Sequence, residues 1–150
     1  MALHPACAAG PAHDWINNRG GSIGYSMPLA VGCAAACPDR PVLAVVGDGS
    51  AAYTLQALWT MARARMNVTV IVLSNRRYRI LTNEMSKIGA GTPDAGSDPL
   101  MSLDNPPIGW TDLAQGFGVP GRRVETAPEL HGAILDALAA PGPHLIEAAM

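Results

Sequence analysis

The sequence has no excess of either charge: ten Lys and Arg stand against twelve Asp and Glu in 150 residues, for a formal charge of -2. Such a balance creates no field strong enough to gather nucleic acid or an anionic membrane surface, and basic residues cluster only at Arg76, Arg77 and Arg79. Long apolar runs are missing too. No stretch reaches the roughly 20 residues that cross a bilayer, and Met1-Ala-Leu-His-Pro-Ala-Cys lacks the charged start and long apolar segment of a secretory signal. The expectation is a protein that meets no membrane and resides in the cytoplasm. Cysteine is scarce and odd in number, with Cys7, Cys33 and Cys37 only, which argues against a disulfide framework and for reduced thiols. Cys33 and Cys37 lie one helical turn apart, but no further soft ligand accompanies them, so they read as buried thiols. His4, His13, His131 and His144 are scattered, and their spacing supports no Ser-His-Asp constellation.

What is present is 49% apolar residues, enough for one hydrophobic core in a chain of this size. Residues 1–19 carry Pro, Gly and Asn without a sustained period and read as an irregular arm ahead of a domain over 20–150. Small apolar residues from Met27 to Ala36 predict a closely packed helix stopped by Pro38. Pro41–Val46 is a continuous apolar run, the pattern of a strand buried on both faces. Leu55, Leu58, Trp59 and Ala62 then recur at helical spacing, with Arg63 and Arg65 near the negative end of the helix dipole. Val68–Leu73 predicts a second buried strand. The segment from about 83 to 109 reads as a long loop, open to a short helix or two, of a length that is usually functional or disordered. Trp110–Phe117 predicts a helix, Gly121–Val124 a strand, Pro128–Ala139 a helix and His144–Ala148 a last strand. This alternation defines an α/β fold, a parallel sheet with helices on both faces.

Two residues stand where such sheets gather ligands, outside the carboxyl ends of strands: Asp48 after the first strand and Asn75 after the second. Gly47 and Gly49 flank the aspartate, permitting a tight turn and close approach of backbone amides to an anion, and Ser50 is placed to cap the next helix. A helix amino end is a seat for phosphate. Mg²⁺ takes hard oxygen ligands, commonly one or two from protein and the rest from phosphate and water. A carboxylate plus an amide oxygen is such a minimal set. It leaves charge balance to a bound diphosphate, so metal and diphosphate should bind together.

Gly47-Asp48-Gly49-Ser50 followed by Asn75 resembles the thiamine-diphosphate signature, and GDGSAAYTLQALWTMARARMNVTVIVLSNRRYRIL is similar to the same stretch of benzoylformate decarboxylases and acetolactate synthase-like enzymes. The similarity extends from about Gly20 to the last strand. It implies a thiamine-diphosphate-binding fold that holds the diphosphate and Mg²⁺. The metal ligands it implies are the Asp48 carboxylate, the Asn75 side-chain oxygen and the Arg77 carbonyl. Gly47, Gly49, Ser50, Tyr78 and Ile80 would border the cofactor, the carbonyl of Gly21 would accept from its amino group, and Ile23 would lie under the bend between its rings. Outside this context Ile23 reads equally well as a core residue. Leu81 and Glu84 are the implied substrate-pocket candidates, and the segment after Asn83 the implied lid. The pattern is broken at Ser74, where relatives often have Asn, and at Arg77 and Arg79, where small residues are usual; their guanidinium groups could hold phosphate oxygens.

The resemblance further implies a 2-oxo acid as substrate and decarboxylation with the cofactor as electron sink. Protonation to an aldehyde or attack on a second 2-oxo acid would follow, and no residue here decides between lyase and carboligating synthase. FAD is not indicated by any residue. Family members draw the activating glutamate from a pyrimidine-binding domain, to which nothing in this chain corresponds, so no catalytic residue is assigned here. A partner domain or subunit is expected, in a homo- or hetero-oligomer, and the sheet is open to the loss of an edge strand. The chain alone is expected to be inactive. The alternatives are a non-catalytic remnant that keeps the fold, and a nucleotide-binding Rossmann domain. Gly20-Gly-Ser-Ile-Gly24 fits the latter poorly, since it follows no clear strand and departs from G-x-G-x-x-G.

Overall fold

The computed structural model describes residues 7–17 and 20–150; the remainder of the expected arm, with His4, lies outside the described residues. Its sheet has four strands, β1 (Val42–Gly47), β2 (Val68–Ser74), β3 (Gly121–Val124) and β4 (His144–Ala149), in the order β1-β2-β4-β3. Every neighbouring pair is parallel. The helices are α1 (Ser26–Ala36), α2 (Asp48–Ala51), α3 (Ala57–Arg63), α4 (Arg79–Lys87), α5 (Asp98–Met101), α6 (Trp110–Gly116) and α7 (Ala127–Ala139). The fold is thus α/β, with helices on both faces of a parallel sheet.

Alternation along the strands divides the core in two. On one face Ala44, Val46, Val68, Val70, Val72 and Leu145 pack with Met27 and Ala30 of α1, Leu58 and Met61 of α3, and Trp110 and Ala114 of α6. On the other, Ile71, Val124, Ile146 and Ala148 pack against Ala133 and Ala137 of α7. Full burial of a side chain such as Leu58 contributes about 1.5–3 kcal/mol. α7 is held at its start by a capping box: Thr126 accepts from the Glu129 N–H, and the Glu129 carboxylate accepts from the Thr126 N–H.

Four expectations are corrected. β1 is not buried on both faces. It is an edge strand among the described residues, and Leu43 remains 48% exposed because α7 covers β2, β3 and β4 and does not reach it. The helix after Asp48 is broken into α2 and α3, and Trp59 lies outside the core, half exposed beneath the Arg63 guanidinium, while Met61 takes the buried position. The long loop starts later than expected, because α4 occupies residues up to Lys87; its apolar stripe, with Ile80 and Leu81, is left exposed. Cys37, read as buried, is exposed at the end of α1, and Cys33 is half-buried. Among the described residues no helix is long and apolar enough to cross a membrane, and no three His, Cys, Asp or Glu side chains form a metal cluster.

Candidate cofactor site at the carboxyl ends of β1 and β2

β1 leaves the sheet at Gly47 in an extended conformation, and Asp48 opens α2. The aspartate is only 3% exposed. Its Oδ1 accepts from the Gly49 N–H at 2.8 Å and its Oδ2 from the Arg76 N–H at 2.6 Å. The second bond joins the turn after β1 to the turn after β2. Burial pushes the carboxyl above its ordinary value, and the N–H groups of Gly49, Arg76, Asp48 and Asn75 pull it back. None of the ion pairs among the described residues involves Asp48. A buried carboxylate without a counter-charge is costly, and a divalent cation is the kind of group that offsets it.

Asn75 follows the last residue of β2. Its Oδ1 accepts from the Arg77 N–H at 3.0 Å, across Arg76, whose φ of 56° is left-handed. This small loop keeps the amide oxygen beside the turn that binds Asp48. The segment 98–104 braces it from outside. The Tyr78 N–H donates to the Met101 carbonyl, and the Leu103 N–H to the Arg76 carbonyl, each at 2.8 Å. Arg77 pairs with Asp98 and Arg76 with Asp104. Two of the three clustered arginines are therefore tied to the strap. The Arg77 carbonyl receives none of these bonds, which leaves it available as an oxygen donor.

Glycines make the site approachable. A Cβ at Gly49 would stand 2.7 Å from the Tyr78 ring, so Tyr78 lies directly against the aspartate turn. Gly20, Gly21 and Gly24 all have positive φ, and the turn they form is fastened to α2: the Gly24 N–H donates to Ser50 Oγ at 2.9 Å, and Thr54 Oγ1 donates to the Gly24 carbonyl at 2.6 Å. Ser50 therefore does not cap a helix. Its hydroxyl is inside α2 and accepts from the distant glycine turn. Ile23, on that turn, is 60% exposed, which rules out its reading as a core residue and leaves an aliphatic side chain free to meet a ligand.

Of the remaining candidates, Ile80 and Leu81 are exposed on α4, and the Glu84 carboxylate pairs with Lys87 at 2.6 Å. A cavity of about 270 Å³ beside Asn75 is lined instead by Arg77, Arg79, Thr82 and Asn83. Sequence reasoning missed Thr82 and Asn83. The i, i+3, i+4 spacing from Arg79 could have found them once α4 was recognised.

An open parallel sheet that brings a buried carboxylate, an amide oxygen and glycine turns together at its carboxyl end defines an α/β domain for a phosphate-bearing cofactor. Comparison with known proteins narrows that class. The family described as "Thiamine pyrophosphate enzyme, C-terminal TPP binding domain" matches residues 1–148, and the chain belongs to it. The chain is 45% identical over 148 residues to a Mycobacterium tuberculosis protein named "Putative acetolactate synthase large subunit IlvX", covering 98% of this chain and 29% of that one. It is 39% identical over 127 residues to a benzoylformate decarboxylase of Pseudomonas aeruginosa, covering 85% and 23%. Among solved structures, the thiamine diphosphate-dependent 4-hydroxybenzoylformate decarboxylase of Rhodococcus jostii superposes with a TM-score of 0.76 at 37% identity, covering 85% of this chain and 23% of that one. The chain thus spans under a third of the length of these relatives.

Proposed function

We propose that this chain is the diphosphate- and Mg²⁺-holding part of a thiamine-diphosphate enzyme acting on 2-oxo acids. The observation that carries the reading is Asp48: a buried carboxylate, gripped by backbone N–H groups from both strand-end turns and lacking a cationic partner among the described residues. Asp48, Asn75 and the Arg77 carbonyl would supply the protein oxygens of a Mg²⁺ site. Gly47, Gly49 and Ser50 would face the diphosphate with backbone and hydroxyl groups, Tyr78 and Ile80 would border it, and the Gly21 carbonyl and Ile23 would orient the rings. When bound, thiamine diphosphate supplies the electron sink for decarboxylation. The residues of this chain bind and orient, and none is assigned a proton-transfer role.

The domain that brings the activating carboxylate would be a partner in the same oligomer. Ile23, 60% exposed on the glycine turn, supports such a covering. Decarboxylase and carboligase relatives both resemble the chain, and acceptor choice would lie in pocket residues outside it. A cytoplasmic setting is proposed because the three cysteines are free, as thiols are kept in a reducing compartment.

Titration calorimetry with thiamine diphosphate, with and without Mg²⁺, on the wild type and Asp48→Ala tests the reading. The expected result is Mg²⁺-dependent binding that the substitution abolishes. Equal affinity in all four conditions refutes it.

A further inference from the structure

The turn that carries Ile23 is not part of the sheet, and Gly20, Gly21 and Gly24 all have positive φ. Glycines give such a turn a freedom that groups elsewhere must restrain. A restraint acts at Gly24, and it comes from the segment that follows Asp48. Both backbone groups of Gly24 are engaged: its N–H donates to Ser50 Oγ at 2.9 Å, and its carbonyl accepts from Thr54 Oγ1 at 2.6 Å. The contact is close as well. A Cβ at Gly24 would stand 2.8 Å from Tyr53 Cβ and 3.2 Å from Thr54 Cγ2. Gly24 is thus riveted to the connection between α2 and α3, and Ile23 is its neighbour in the chain.

The span from Asp48 to Thr54 is held together by its own backbone: the Ala52 N–H donates to the Asp48 carbonyl and the Thr54 N–H to the Ala51 carbonyl. Its first residue is tied to the turn after β2 through the Arg76 N–H, and its last to the glycine turn. The two hydroxyls on it differ in role. Ser50 is a candidate contact of the diphosphate itself, whereas Thr54 Oγ1 donates to Gly24 and Thr54 is assigned no contact with the cofactor. We propose that Thr54 is a positioning residue, which sets the separation between the part of the site that would orient the rings, at Gly21 and Ile23, and the part that would hold the metal and tail, at Asp48 and Asn75. The inference rests on the function proposed above and deepens it. Loss of the Thr54 hydroxyl would free the glycine turn, and only a ligand long enough to reach both parts would register the change. One half-buried hydrogen bond between neutral groups is of moderate strength, so the effect is several-fold and not all or none.

The test titrates thiamine diphosphate and inorganic pyrophosphate, each with Mg²⁺, into the full chain as wild type, Thr54→Val, Thr54→Ser, Gly24→Ala and Asp48→Ala. Valine keeps the shape of the side chain and deletes the hydroxyl; serine keeps the hydroxyl. The expected result is that Thr54→Val weakens thiamine diphosphate by roughly two- to tenfold, leaves pyrophosphate unchanged, and that Thr54→Ser restores wild-type binding. Gly24→Ala, whose methyl group must push against Tyr53, should show the same split between the two ligands, and it carries the test if Thr54→Val fails to fold. A merely structural threonine would weaken both ligands in step with a lowered melting temperature, or neither, and either result overturns the inference. So does a wild type that binds thiamine diphosphate no more tightly than pyrophosphate, since the rings would then gain nothing from the turn. If Asp48→Ala abolishes Mg²⁺-dependent binding of both ligands while Thr54→Val changes nothing, the function stands and only the positioning role falls; a wild type that binds neither ligand overturns both.

Discussion

Replacing Gly49 with alanine would put a methyl carbon 2.7 and 2.8 Å from two atoms of the Tyr78 ring, where ordinary contact begins near 3.4 Å. The ring must retreat by several tenths of an ångström, and it is pinned at its own backbone by the N–H that donates to the Met101 carbonyl. Inserting a methyl group into a packed contact of this kind costs about 1–3 kcal/mol. For a chain of this size each kcal/mol lowers the melting temperature by roughly 2–4 °C. Gly49 lies within α2, where alanine is otherwise favoured over glycine by about 1 kcal/mol. The effect should therefore change sign once the ring is gone: Gly49→Ala destabilises the wild type but is neutral or stabilising in a Tyr78→Ala background. A double-mutant cycle by urea denaturation reads the coupling directly. Equal cost of Gly49→Ala in both backgrounds would show that the aspartate turn and Tyr78 do not meet as described.

Other expectations follow from the same contacts. Leu58→Ala should cost about 2–5 kcal/mol, as a fully buried leucine does, whereas its half-exposed neighbour Trp59 should cost clearly less on replacement by alanine; denaturation midpoints in the opposite order would contradict the packing of α3. Thr126→Ala should cost about 1 kcal/mol through loss of the α7 cap, read as a lowered melting temperature. The Glu129 carboxyl is held below its ordinary value of 4.5, chiefly by the Glu125 and Thr126 N–H groups. Its contribution is therefore present above that value and is lost as pH falls through the depressed one. The stability gap between wild type and Glu129→Ala should narrow on acidification, and a gap that widens would contradict the capping box.

Much of this was legible in the sequence because local pattern and environment agree. Val68–Leu73 reads as a buried strand, and β2 is one of the two strands flanked on both sides. Gly47-Asp48-Gly49 reads as a tight turn at a strand end, and the chain does leave β1 there, with Asp48 buried. Other features depended on distant neighbours. The run from Pro41 to Val46 is as apolar as β2, but whether Leu43 is covered depends on where α7 lies, and nothing local records that. Ser50 has the composition of a helix cap, yet its hydroxyl is claimed by Gly24, 26 positions earlier. α4 carries Ile80, Leu81 and Met85 at helical spacing, but the loop reading began at Asn83 and cut that stripe in two, and with it went Thr82 and Asn83. The strap falls within the segment that reads as a long loop, but its pairing with Arg76 and Arg77 was not readable, since ion pairs leave no periodicity.

The most direct measurement replaces Mg²⁺ with Mn²⁺ and locates the ion by anomalous diffraction from crystals grown with thiamine diphosphate. The account predicts one strong peak about 2.0–2.2 Å from oxygens of Asp48, Asn75 and the Arg77 carbonyl, absent from crystals of Asp48→Ala. A peak at a different set of residues, or one that survives the substitution unchanged, would contradict it.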